Sequence, residues 1–345
     1  MLKLRRGTVV SADPLEVEVG GERRRAWADR VLVGECGEGD EVIVNVEALD
    51  LGLGSGGFDV VHVNLTRGLD AEGRDDLNVF KLNYSSLQHP VDPVEPPERA
   101  IAAGSRMPVL VCFLHGQLAP AAWAAGREAE GVRVGYVQTP GGALPGSLSR
   151  DVAELRERGL LCGHLTAGAA YGGEGEAISV VGAIDAAAGL GWDAVIAGPG
   201  PGILGSASAL GHGGMAALDA AHAALALGLP TLLAPRLSRG DSRPRHHGLS
   251  HHTATVLELL LAGVRVPVPD VGEEVWPGEA REELREACGE RHPTEVHSAD
   301  LAGYGDSGLP SRTMGRDIKD DALFFAAALA AGDALAAACG KDGDR

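Results

Sequence analysis

Aromatic residues make up only 4% of this 345-residue chain. A core with so few large rings must be assembled from small side chains at close contact, and the 50 glycines and the alanine-rich background suit that. Positive charge is also scarce: 30 Lys and Arg stand against 48 Asp and Glu, a formal net charge of -18. That excludes a general nucleic-acid-binding surface, which needs cations to displace counterions. Lysine occurs only at 3, 81, 319 and 341, so the other basic residues are arginines. The five cysteines, at 36, 112, 162, 288 and 339, form no CxxC or other close pair. A disulfide framework is excluded on that spacing, and Cys112 and Cys162, inside apolar runs, read as small core residues. The start, MLKLRRGTVV, lacks the apolar stretch of a secretory signal. No uninterrupted apolar run approaches eighteen residues, so the expectation is a reduced cytoplasmic protein with no membrane partner. Also missing are a Walker loop, a clean dinucleotide fingerprint, HExxH and GxSxG.

What is present falls into two rhythms. RGTVVSA, LEVEV, RRAWA, EVIVNVEAL and FDVVHVN are short runs rich in β-branched residues. Gly20-Gly21 joins two of them as a hairpin signal, and Gly39-Asp40 precedes another as a turn. Residues 1–64 are therefore predicted to form a small β-barrel or sandwich. Residues 65–105, with HPVDPVEPPE at 89–98, read as an irregular proline-containing strap. Within 106–345, apolar runs alternate with helix-length segments. PVLVCFLHG precedes a helix near 118–130, VRVGYVQTP one near 148–158 and LLCGHLTAG one near 175–189. DAVIAGPGPG precedes a helix near 212–227, TLLAPRLS leads to one near 250–262, and VRVPVP (264–269) closes the series. Continuous apolar strands in βα alternation predict an α/β fold: a doubly wound (Rossmann/flavodoxin-like), mainly parallel sheet. A last amphipathic helix is expected near 317–338, followed by a solvated tail, 341–345.

Ligands of such sheets bind beyond the carboxyl ends of the strands, and each strand here ends in something unlike core. The first ends in His115. The fourth runs into GPGPGILGSASALGHGG (198–214), where Gly198, Gly200, Gly202, Gly205 and Gly213 would let backbone amides approach an anion before a helix N-terminus. Ser206, Ser208 and His212 add side-chain groups. The fifth opens into RGDSRPRHHGLSHHT (239–253), dense in cations for so acidic a chain. Arg236, Arg239, Arg243 and Arg245 form a patch whose forks suit phosphate or carboxylate. Ser250 has the position of an N-cap, which puts His251 and His252 in a first helical turn, where the dipole disfavours imidazolium. His115, His247, His251, His252 and Asp241 are the candidate acid/base groups. Asp241, His246, His247, His251 and His252 contain enough ligands for a metal, with His115 and His212 within reach of the rim. No metal-binding spacing appears, so no metal is assigned, and no cofactor is named. The bland alternative is a solvated loop with paired arginines.

The stretches VNLTRGLD, KLNYSSLQHPVDPVE, GHGGMAALDAAHAALALG, SRGDSRPRHHGLSHHT and TMGRDIKDD together resemble a bacterial family known as a domain of unknown function. The resemblance spans nearly the whole chain and implies no activity, cofactor or catalytic residue.

The resulting expectation is an enzyme acting on a small anionic, perhaps phosphorylated, metabolite at the strand rim. Its rivals are a sensor that binds without turnover and an assembly protein that uses the N-terminal β unit. A homo-oligomer is compatible with the sequence.

Overall fold

The computed structural model describes every residue except 54, 55, 70, 71, 75, 102, 103, 129, 130, 207 and 341–345, together with all side chains but those and that of residue 128. The expected tail, 341–345, lies outside the described residues. Packing divides the chain into two units, Met1–Asp92 and Pro93–Arg345.

In the first unit, β1 (Leu4–Ala12), β2 (Leu15–Val19), β3 (Glu22–Trp27), β4 (Glu41–Asn45) and β5 (Asp59–Asn64) close into a barrel, with α1 (Arg30–Val33) and α2 (Glu47–Asp50) as one-turn connections. The order is β1-β2-β3-β5-β4, with β3 parallel to β5, a connectivity shared with OB-type barrels. Gly20 and Gly21 both take positive φ, 61° and 84°, as a two-residue hairpin turn requires. Alternation puts one face of each strand inside, where Val9, Val17, Val42, Val44 and Val61 fill a small core of β-branched side chains. The predicted strap is not wholly irregular: β6 (Val79–Lys81) and β7 (His89–Val91) pair antiparallel.

The second unit is the expected α/β layer structure. Its strands are β8 (Val109–Val111), β9 (Val134–Thr139), β10 (His164–Ala167), β11 (Gly175–Ala177), β12 (Ala194–Pro199) and β13 (Thr231–Leu233). They form one parallel sheet in the order β11-β10-β9-β12-β8-β13. The crossovers carry α3 (Leu118–Glu128), α4 (Arg150–Glu157), α5 (Val180–Gly189) and α6 (Ala216–Ala226). Central strands are buried on both faces, which is why they read as unbroken apolar runs. After β13 come the short pair β14 (Leu237–Ser238) and β15 (Gly248–Leu249), then α7 (His251–Leu259).

Residues 175–177 are an edge strand rather than the start of a helix, and α5 begins only after the Ser179 cap accepts from the Gly182 amide. The segment after VRVPVP is ordered. β16 (Val266–Pro269) continues the sheet edge, since Arg265 exchanges backbone hydrogen bonds with Thr231 and Leu233. It pairs in parallel with β17 (Thr294–His297) across α8 (Gly278–Cys288), and α9 (Leu301–Asp306) follows. Beyond these lie the hairpin β18 (Arg312–Thr313) and β19 (Arg316–Asp317), then α10 (Ala322–Cys339).

The last helix is not amphipathic. Leu323 to Ala331 is buried without a break, and Gly332 lets the helix cross α3 against the Ala121 carbonyl, where a Cβ would not fit. Its 18 residues have the length and mean hydropathy (1.9) of a bilayer span, but 72% of that window is buried in protein. α10 serves as a core helix.

Candidate functional site: an arginine–histidine cavity

Strand order puts an opening where β8 and β12 lie side by side. β8 leads through α3 to β9 on one side, while β12 leads through α6 to β13 on the other. Connections leaving in opposite directions part the loops above the strand ends, which is where open α/β sheets bind ligands. A cavity of about 970 Å³ lies there. Buried Gln117 holds one wall: its Oε1 accepts from the Phe113 and Leu114 amides, and its Nε2 donates to the Ala234 and Pro235 carbonyls. One side chain thereby ties the end of β8 to the chain after β13.

Four segments supply most of the lining, Leu114–Gly116, Pro201–Ser206 with His212, Arg236–His252 in part, and Pro310–Arg316 in part, and Ala119, Asp151 and Phe325 complete it. The sequence reading offered no role for the fourth. Its tip is a two-residue hairpin turn with both residues left-handed, Met314 at φ 51° and Gly315 at φ 81°, the first of them a non-glycine. Gly116 gives it room, since a Cβ there would collide with Thr313.

Cations dominate the lining: Arg236, Arg243, Arg245, Arg312 and Arg316 against Asp151 and Asp241. Arg236 is only 2% exposed. Its Nη1 donates to His252 Nδ1 at 3.1 Å, its Nη2 reaches Asp241 at 3.4 Å, and its buried Nε has no partner. Burial, with Arg243 beside it, pulls the guanidinium down to about 10. Asp241 is fully committed. Arg243 takes it with Nε at 2.8 Å and Nη2 at 2.6 Å, and Arg316 Nη2 sits at 3.4 Å. Burial alone would raise this carboxyl, but the Arg243 hydrogen bonds and the surrounding charge hold it well below the usual carboxylate range. Asp241 was expected among the acid/base groups; the structure places its carboxylate as an anchor for three arginines.

Burial favours the neutral form of the imidazoles at the cavity. Burial first, then Arg236, depresses His246 to about 3 and His252 to about 2. Burial also lowers His212, His251 and His115. A group titrating so far down has no proton to give at neutral pH, so His252 does not suit a general acid. His115 differs in its surroundings: its Nε2 lies 2.7 Å from Ser149 Oγ and 3.9 Å from Asp151 Oδ2, and its residue and Asp151 both line the cavity.

The remaining predicted residues divide. Gly202, Gly205, Ser206, His212, Arg236, Arg243, Arg245, His115 and His252 are brought together on the lining. Gly198, Gly200 and Gly213 are not on it. They sit where two backbones pass closely, Gly198 against Cys112, Gly200 against the Ala143 carbonyl and Gly213 against the Gly141 carbonyl. Ser208 bonds to Gly211 within its own exposed turn. Arg239 donates to the Glu274 carbonyl. His247 is exposed and off the lining. Ser250 caps α7, accepting from the His252 amide, and contacts His246 Nδ1 at 2.8 Å. His251 packs behind the lining against His212, His246 and His252, with ring centroids 4.5–5.0 Å apart.

A parallel sheet with a ligand-sized cavity above its strand ends makes the second unit a Rossmann-like α/β protein. The chain belongs to the family described as "protein of unknown function (DUF3866)", which matches residues 25–332. No curated protein and no solved structure matches the chain.

Proposed function

We propose that the cavity binds a small anionic metabolite, phosphorylated or carboxylated, and that the protein is an enzyme acting on it. One observation carries the reading: Arg236, a buried guanidinium on the wall, shares one carboxylate with Arg243 and Arg316 and keeps an unpartnered Nε. A buried charge is costly until it is paired, and an anion in the cavity supplies the pairing. Arg245 and Arg312, also on the lining, add forks for the same oxygens. For catalysis, support comes from the His115–Asp151 pair at another strand end, a lining histidine with a carboxylate beside its ring. His115 is then the base, neutral and close to Asp151 and Ser149.

A sensor that binds the same anion without converting it is favoured by the burial of His246 and His252 beside Arg236, which keeps both from serving as general acids. Turnover separates the two readings. Melting of the full chain against a panel of phosphorylated and carboxylated metabolites, followed by turnover assays on the stabilising compounds, is the test. A compound at about 100 times its Kd adds about 2.7 kcal/mol of stability. Stabilisation only by neutral or cationic compounds would contradict anion binding, and anion binding without turnover would leave the sensor.

A further inference from the structure

Four imidazoles meet beside the cavity, and their hydrogen bonds do not account for them. His212, His246, His251 and His252 make ring contacts with centroids 3.8–5.0 Å apart. One nitrogen each from His212, His251 and His252 lies within 4.8 Å of the other two. His212, 7% exposed, is fixed by its backbone: Nε2 sits 2.9 Å from the Ala209 carbonyl and must donate to it. Its Nδ1 is then a bare lone pair, and that atom is buried with no partner. Buried His251 Nε2 is likewise without one. Buried polar atoms in native proteins are nearly always satisfied, so two orphaned nitrogens in one cluster need an explanation. Gly214 supplies the space. A Cβ there would stand 2.8 Å from His252 Nδ1 and 2.9 Å from His212 Nδ1, so the glycine keeps a side chain from crowding both nitrogens.

We propose that His212, His251 and His252 form a three-nitrogen site for a divalent transition-metal ion of the zinc class. Imidazole nitrogen suits Zn²⁺, and a carbonyl that fixes the far ring nitrogen, as Ala209 does, is the usual support of a ligating histidine. Tetrahedral bonds of 2.0–2.1 Å place ligand atoms about 3.4 Å apart, so the rings draw in by roughly an ångström when the ion enters. His212 and His252 stack at 9°, and one of them turns to bring its lone pair into line. Arg236 Nη1 holds His252 Nδ1 in the arrangement described, and the ion takes that lone pair in its place.

The N-terminus of α7 and the nearby arginines oppose a cation. At about 0.3–1 kcal/mol per unit charge, the dipole costs a dication up to about thirtyfold in affinity, well below what zinc gains from its protein ligands. His212 and His252 both line the cavity, so the fourth position opens into it. Three protein ligands and one open position are the arrangement of catalytic rather than structural zinc, and a water or an anion oxygen binds there. The site stands on its own geometry and does not depend on the anion reading.

The test is calorimetric titration of ZnCl₂ into the full chain, stripped with chelator, at neutral pH. The expected result is one ion per chain, with affinity falling by about 100-fold or more in His212→Ala and in His251→Ala. The double variant His62→Ala/His222→Ala removes two half-buried histidines outside the cluster and should bind as the unaltered chain does. Gly214→Ala, which keeps every imidazole, should lose the ion through its Cβ, and serves if a histidine variant fails to fold. Cobalt titration should give the intense visible bands of tetrahedral nitrogen coordination. No zinc binding by the unaltered chain would overturn the proposal. So would unchanged affinity in His212→Ala, His251→Ala and Gly214→Ala, or loss of binding in the His62/His222 variant instead.

Discussion

Each unit of the protein buries an aspartate against arginine, and the two clusters are built differently. In the barrel, Asp40 accepts from Arg67 Nε and Nη2 at 2.9 and 2.7 Å through one oxygen, and from the Gly37 amide and Asn64 Nδ2 at 2.8 and 2.9 Å through the other. Those Arg67 hydrogen bonds hold the carboxyl down at about 2. One anion meets one half-exposed cation, and no acceptor site is left over. In the α/β unit, Asp241 meets Arg236, Arg243 and Arg316 on a cavity wall. Asp321 also takes Arg316, so three cations, of which Arg243 is half exposed, face two anions. Charges that balance explain themselves as structure, whereas a surplus of one sign around a buried guanidinium on a cavity wall points to something that balances it.

Removing the two aspartates sharpens the comparison most. Asp241→Ala leaves Arg236 buried without its anion and should cost about 3–5 kcal/mol in chemical denaturation. Asp40→Ala should also destabilise, but the two variants should part when sulfate is added. Sulfate can enter the cavity and pair the arginines, so it should restore much of the loss in the Asp241 variant. It should do nothing specific for the Asp40 variant, whose Arg67 is half exposed. Equal rescue of both would break the comparison.

Acid comes next in size. His164, on β10, is buried with Nε2 3.1 Å from Gln138 Oε1, and burial lowers it to about 4. Its unfolded value is near 6.5, so below that pH the unfolded chain takes up a proton that the native state excludes. Stability is fully present above about 6.5 and falls toward pH 4, by up to about 1.4 kcal/mol per pH unit from this residue. His164→Asn should flatten that part of the stability–pH curve, and an unchanged slope would show that His164 is not the source.

Arg245→Ala tests the lining without touching the Asp241 anchor. Affinity for a bound anion should drop about tenfold, the loss of one charge-assisted hydrogen bond, with little change in melting. His247→Ala should have the smallest effect, within about 0.5 kcal/mol in stability and with binding unchanged, because the side chain is exposed and off the lining.

The legible parts of this molecule were those set by local chemistry. The Gly20-Gly21 hairpin, the buried strands as apolar runs and the Ser250 cap all follow from a few adjacent residues. The rest depends on partners far along the chain. β11 is three residues with a glycine and a glutamate, and no strand propensity marks it. Glu176 holds it by accepting from Thr166 Oγ1 and bonding the Gly172 amide. Asp333, the polar residue within α10, has its partner 36 positions back in the chain: it lies 2.8 Å from His297 Nδ1. Asp241 read as a proton carrier because Arg316 and Asp321, which complete its network, lie some eighty residues downstream. The loop of 239–253 was visible as a cationic patch. That half of its members would turn away from the cavity was not, since Arg239 is drawn off by a carbonyl in another segment.

The central claim is that the arginine surplus of the cavity is completed by an anion. Its most direct test is thermal melting of the full chain in inorganic phosphate, set against chloride at matched ionic strength, with Arg245→Ala in parallel. A phosphate-specific rise that saturates in the unaltered chain and is weakened about tenfold in Arg245→Ala is the predicted result. Identical melting in phosphate and chloride, or an identical phosphate response in the variant, would contradict it.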